Sequence, residues 1–140
     1  MNFVKREYKK IDSFIYESES DYPDLNFHFF VRRFDETILF DANCEYDGET
    51  INLLSEEVDE DLTDQISETL TAFDMQACND APLLDERKEE NKWSLEVRLL
   101  DGTEILADCE HSIPKKAIEG LNELREYLSD YALWCKEGRP

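Results

Sequence analysis

The sequence predicts an α+β fold, one antiparallel β-sheet packed by two amphipathic helices. Two segments show apolar residues alternating with polar ones around an Asp-Gly pair, Asp47-Gly48 and Asp101-Gly102. After each, the apolar spacing changes from two residues to that of a helix. Apolar side chains make up 41% of the 140 residues, enough to form a core although 36% are charged.

Taken in chain order, Lys5, Arg6, Lys9 and Lys10 are followed by no apolar run of signal or membrane-span length, so neither export nor membrane insertion is expected. Residues 27–34, FHFFVRRF, are aromatic and β-branched on both faces, which suits a central strand covered on two sides. Residues 38–47 alternate Ile38, Phe40, Ala42, Cys44 and Tyr46 against a wetter face, and read as a second strand. The Asp47-Gly48 pair tolerates positive φ, so residues 49–54 return as a short third strand. From Ser55, read as an N-cap, the residues Val58, Leu62, Ile66, Leu70 and Phe73 fall on one helical stripe.

Residues 78–91 lack periodicity and carry Pro82 and a charge run, so they read as the longest internal loop. A hairpin follows: Trp93, Leu95, Val97 and Leu99 alternate inward, Asp101-Gly102 turns, and Ile105, Ala107 and Cys109 return. Pro114 suits a first helical turn, with Ile118, Leu121, Leu124, Leu128 and Tyr131 as the buried stripe. The whole chain, 1–140, reads as one domain. Its halves, 25–77 and 92–135, each order strand, acidic turn, strand and helix, which suggests a duplicated ββα unit, with independent hairpins as the alternative. Residues 93–131, carrying Trp93, Asp101, Gly102, Pro114, Leu121, Leu124 and Leu128, resemble a broad group of small, poorly characterised bacterial proteins with a Trp-initiated strand, an Asp-Gly hairpin, a proline and a Leu-rich C-terminal helix. That resemblance implies a fold and no activity.

The net charge is −20, and residues 34–86 hold 17 of the 35 acidic residues with no Lys or Arg. Such a block repels nucleic acid and favours a basic partner. The expected role is therefore a non-enzymatic protein-binding module that captures a basic protein, as an immunity protein or a DNA-mimicking anti-CRISPR or anti-restriction inhibitor does. No direct nucleic-acid contact and no membrane contact are expected. The residues expected to meet the partner are Asp41, Glu45, Tyr46, Asp47, Glu49, Glu56, Glu57, Glu60, Asp61 and Asp64, with Tyr46 as an aromatic anchor in an acidic rim. A homodimer is the expectation if Phe29, Phe30 or Trp134 join in one exposed apolar patch.

Cys44, Cys78, Cys109 and Cys135 are scattered without a C-x-x-C pair, so they read as reduced thiols in a cytoplasmic protein. Glycine-rich phosphate loops are absent, and no cofactor or dedicated metal site is expected. The alternative function is a metal-dependent or Cys-His hydrolase using Cys109 and His111, two apart on one strand face, with Cys44 nearby if the halves are related.

Overall fold

The computed structural model describes residues 10–22, 26–85 and 92–138. Lys5, Arg6 and Lys9, and the acidic and basic run of 86–90, lie outside them. Six strands, β1 (Ile11–Glu19), β2 (Phe27–Phe34), β3 (Thr37–Tyr46), β4 (Glu49–Val58), β5 (Lys92–Leu99) and β6 (Glu104–Asp108), form one antiparallel sheet in the order β4-β3-β2-β1-β5-β6. Helices α1 (Glu60–Ala72) and α2 (Lys115–Lys136) and a short 3-10 helix (Met75–Asp80) complete it. The α+β class expected from the sequence is the class observed.

Both helices cover the same face of the sheet. Phe14 and Tyr16 from β1, Phe29 and Val31 from β2, Phe40 and Ala42 from β3, Leu95 and Val97 from β5 meet Leu62 and Ile66 of α1 and Leu124 and Leu128 of α2 in one core. Among the described residues no helix lies over the opposite face, so there β2 is covered on one side only, not on two. On that open side His28 is exposed and Phe30 half-buried, with the Arg32 guanidinium 5.0 Å above the Phe30 ring. The aromatic residues at 28–30 thus mark an interior strand whose outer side is shielded by its own arginine.

β1 is central, and its sequence did not announce it. The ladder to β5 shifts register between Ile11 and Ser13, which breaks the alternation at its start, and the buried inward positions end in Ser18. A second bulge changes the reading of 49–58. Phe40 pairs with Glu56 and Ala42 with Leu53, so Leu54 and Ser55 together oppose Asp41. Ser55 has φ 52, and its N–H donates to Asp41 Oδ1 at 2.6 Å. Ser55 is therefore a bulge residue and not a helix cap, β4 runs on to Val58, and α1 starts after Asp59. Glu56, Glu57 and Val58 are strand residues for the same reason, since the bulge restores pairing after the apparent end at Leu54.

Helix α2, about 33 Å long at 1.5 Å per residue, crosses the sheet from the β6 side to the β4 edge. Its first turns face Trp93 and Cys109 across a cavity, and its last turn reaches β4, where Lys136 Nζ donates to the Thr50 carbonyl at 3.0 Å. Leu121, Leu124 and Leu128 are buried as expected, but Ile118 is 46% exposed. Ala117, Gly120, Ser129, Ala132 and Cys135 occupy the rest of the buried stripe. Gly120 permits a close approach, because a Cβ there would stand 2.7 Å from Met75 Sδ and from Phe73 Cβ. At the other edge, Asn79 of the 3-10 helix donates to the Glu104 carbonyl at 2.7 Å and accepts the Leu106 N–H at 2.8 Å, which occupies part of the β6 edge.

The Asp101-Gly102 hairpin stands as expected. The stretch read as a loop from 78 contains the end of the 3-10 helix, with Cys78 buried, and a bridge from Leu83 to His111. β4 stands between β3 and α1, so the first half is more than a bare ββα unit. Phe29 is fully buried, and half-buried Phe30 lies on the sheet face opposite the helix that carries Trp134. These three residues do not form the single apolar patch that a homodimer was expected to use.

Candidate functional site

The acidic block is continuous in sequence but divided in space. Asp41 sits on the open sheet face, where Arg32 donates to its Oδ2 at 2.9 Å while its other oxygen serves the bulge. Glu60 accepts two bonds from Arg33, at 2.6 and 3.1 Å. Lys10 reaches Asp64 at 2.9 Å, and Lys136 reaches Glu49 at 2.5 Å. Asp47, with φ 52 beside Gly48 at φ 75, makes the turn between β3 and β4. The Tyr46 hydroxyl donates to Asp130 of α2, and that bond, ahead of burial and neighbouring carboxylates, pushes its pKa up to about 12. Tyr46 is thus a tie between sheet and helix rather than a free anchor.

The remaining expected residues separate by face. Glu45 is exposed on β3, Glu57 faces with Leu39 and Glu56 with Phe40, on opposite sides of the sheet, and Asp61 is exposed on α1. Among the described residues, arginines and lysines from other elements pair with Asp41, Glu49, Glu60 and Asp64, which a count of charge along the chain does not reveal.

The described structure instead gathers exposed carboxylates on the outer side of the helical layer. Along α2, Glu119, Glu123, Glu126, Asp130 and the capping Glu137 are all exposed, spaced to lie opposite the buried leucine stripe. On α1, Asp61 and Glu68 are placed in the same way, while half-buried Asp64 on the same side is held by Lys10. An aromatic row flanks this stripe: Tyr127 and Tyr131 have ring centroids 6.2 Å apart, Tyr131 and Trp134 5.4 Å, and Tyr131 stands edge-on to buried Phe40 at 5.9 Å. Burial first, then the Asp61 charge, raises the Tyr127 pKa, which places α1's carboxylate beside α2's aromatic row. Of this surface the sequence reading had found Asp61 and Asp64. The signal for the rest was the helical spacing of acids after Pro114, outside the lysine-free block.

Of the residues of the hydrolase reading, Cys109 and His111 line one cavity, but Cys44 does not join them. Three strands, β2, β1 and β5, lie between β3 and β6, which separates Cys44 from Cys109 by roughly 19 Å at the usual strand spacing. Burial pushes the Cys44 thiol up to about 11. His111 Nδ1 lies 2.6 Å from Asp108, but among the described residues Cys109 and His111 share no hydrogen bond. No group of three or more His, Cys, Asp or Glu side chains among the described residues is placed to hold a metal ion. All four cysteines are buried and outside any disulfide.

The Arg33–Glu60 pair gives a testable pH dependence. The Arg33 guanidinium, with Thr63 and Lys10 assisting and burial opposing, holds the Glu60 carboxyl at about 2 against an ordinary 4.5. A lowered folded-state value means that this contribution is complete above about pH 4.5 and is lost as pH falls toward 2. Because the Glu60 side chain is 47% exposed, solvent screening reduces the pair to about 1 kcal/mol. Glu60→Gln is therefore expected to be about 1 kcal/mol less stable than the parent at neutral pH, with the gap closing in acid, as read by urea denaturation across that range.

An acidic α+β domain, with one sheet face open and the other roofed by helices whose outer surface is carboxylate-rich, is the class that fold and site define. In comparisons with known proteins, no family model, no curated protein and no solved structure matches the chain.

Proposed function

We propose that the protein is a non-enzymatic binding module that captures a basic protein, in the manner of an immunity protein or a DNA-mimicking inhibitor. The reading rests on one observation, the exposed carboxylate stripe of α2 running from Glu119 to Glu137 beside the row Tyr127, Tyr131 and Trp134. A negative surface speeds encounter with a positive one, and rigid aromatic side chains supply contact area at small entropic cost. On this reading the partner meets the helical layer, where Asp61 of the residues expected from the sequence lies exposed and Asp64 is paired with Lys10. Glu45, Glu57 and Asp41 face away from it. The same charge opposes direct binding of nucleic acid.

Among the described residues no helix is long and apolar enough to cross a membrane. Four buried thiols outside any disulfide are in keeping with a reducing cytoplasm as the working compartment. The hydrolase reading has less support, because among the described residues its thiol makes no hydrogen bond to the imidazole that would activate it.

Salt-graded capture tests the proposal. Immobilised protein incubated with lysate of its native cells is expected to retain a basic protein at about 0.1 M salt and to release most of it at about 0.5 M, where screening shortens the reach of charge. Retention of only acidic or neutral proteins, or equal retention at both salt levels, overturns it.

A further inference from the structure

We propose that the cavity beneath the first turns of α2 is a binding site for a small organic anion, a carboxylate carried on a flat apolar body. The cavity measures about 390 Å³, and Phe27, Trp93, Ile113, Ile118 and Leu121 supply its apolar walls. That volume and lining are ordinary for a small-molecule site.

Three independent features define the ligand's charge. The first is Tyr16, which forms part of the wall, is 6% exposed, and makes no hydrogen bond through its hydroxyl among the described residues. A buried hydroxyl left without a partner carries a desolvation cost of about 1–3 kcal/mol, so an acceptor in the cavity is the missing element. Burial, partly offset by the Arg125 charge, pushes its pKa up to about 12, which keeps the hydroxyl a neutral donor.

The second feature is Arg125 itself. Arg32, Arg33 and Arg98 each hold a carboxylate, at 2.9, 2.6 and 3.0 Å. Half-buried Arg125, in a chain with 35 acidic residues, has no ion pair or hydrogen bond among the described residues. The third feature is composition, since no Asp or Glu lines the cavity. Asp108, three residues before the lining residue His111, is engaged by its ring at 2.6 Å.

A carboxylate in the cavity would accept from the Tyr16 hydroxyl and from the Arg125 guanidinium together, giving each the partner it lacks. An apolar body would then pack on Phe27 and Trp93 and cover Ile118, the member of the expected core stripe that is left 46% exposed at the rim. A cation would face Arg125 without a compensating charge, and a neutral ligand would leave the guanidinium unpaired. The site is separate from the carboxylate stripe and does not depend on the partner-capture reading.

The test is a titration of the full chain with 3-phenylpropionate and with its neutral counterpart 3-phenylpropanamide, followed by calorimetry and by the indole N–H resonances of Trp93 and Trp134. The acid is expected to saturate in the millimolar range or below, to move the Trp93 signal and not that of Trp134, and to bind at least about tenfold more tightly than the amide. Arg125→Met is expected to erase that preference, and Tyr16→Phe to weaken the acid several-fold, while Lys116→Met, an exposed change on the same helix, leaves it unaltered. Equal binding of acid and amide, an unchanged affinity in Arg125→Met, or no saturation by the acid at about 10 mM overturns the proposal. The acid-to-amide comparison requires no variant, so it decides the matter even if a substitution disturbs folding.

Discussion

Replacing Phe40 with alanine is expected to lower the stability of the domain by about 3–5 kcal/mol, the usual cost of deleting a large, fully enclosed aromatic side chain. Phe40 is 0% exposed, stacks on Phe29 at 6.4 Å and meets Tyr131 edge-on. Its neighbours come from a central strand and from α2, so the vacated volume cannot close by a shift of one loop. For a chain of this length the melting temperature should fall by roughly 10–20 °C. Calorimetry or a urea transition reads the change directly. A loss below about 1 kcal/mol would mean that α2 is not packed on β3 as described. The same substitution removes the support under Tyr131, so it should also loosen the aromatic row beside the carboxylate stripe.

Reversing three carboxylates of that stripe, with Glu119→Lys, Glu123→Lys and Glu126→Lys together, is expected to weaken capture of the basic partner by about 100-fold at low salt, or about 2.7 kcal/mol. Each reversal adds two units, so the net charge moves from −20 to −14. Lysine and glutamate have similar helix propensities, and all three positions are exposed, so the fold should be kept. A matched variant with Glu17→Lys, Glu45→Lys and Glu96→Lys makes the same net change on the open sheet face. That variant should retain most of the affinity. Equal losses in both would assign the attraction to total charge rather than to the helical face. Kinetic measurement adds a second check, because removal of steering charge acts mainly on the association rate.

Much of the fold was legible along the chain, and the reasons are local. The hairpin from Trp93 to Cys109 shows clean alternation about a turn whose Gly102 takes φ 89, so sequence period and backbone geometry agree. Leu62, Ile66 and Leu70 mark α1, and Leu121, Leu124 and Leu128 mark α2, because a helix pressed on a sheet repeats its apolar residues on one side. β1 was missed where the Ile11 irregularity broke the period, and the end of β4 was misplaced where the Ser55 bulge added a residue. A period-two pattern is blind to an inserted residue, since everything beyond it changes face.

The site was less legible than the fold. Charge along a sequence is a sum over neighbours in the chain, whereas an electrostatic surface is a sum over neighbours in space. Lys10, Arg32, Arg33 and Lys136 lie outside the lysine-free block, yet folding brings them onto Asp64, Asp41, Glu60 and Glu49. The acids of α2 carry lysines and an arginine near them in sequence, but helical geometry turns Glu119, Glu123, Glu126 and Asp130 to the exposed side while Lys136 reaches toward β4.

Composition and periodicity by themselves determined that this chain makes an antiparallel sheet with two helices and carries a large excess of negative charge, because secondary structure and net charge follow from residues close together in the chain. Tertiary structure alone decided that both helices lie on one face, that Tyr46 is bound to Asp130, and that Tyr16 and Arg125 meet at a cavity with no acid in its wall. Those outcomes depend on packing between segments as far apart as β1 and α2. Strand order brings such segments together, and no local pattern of residues specifies strand order.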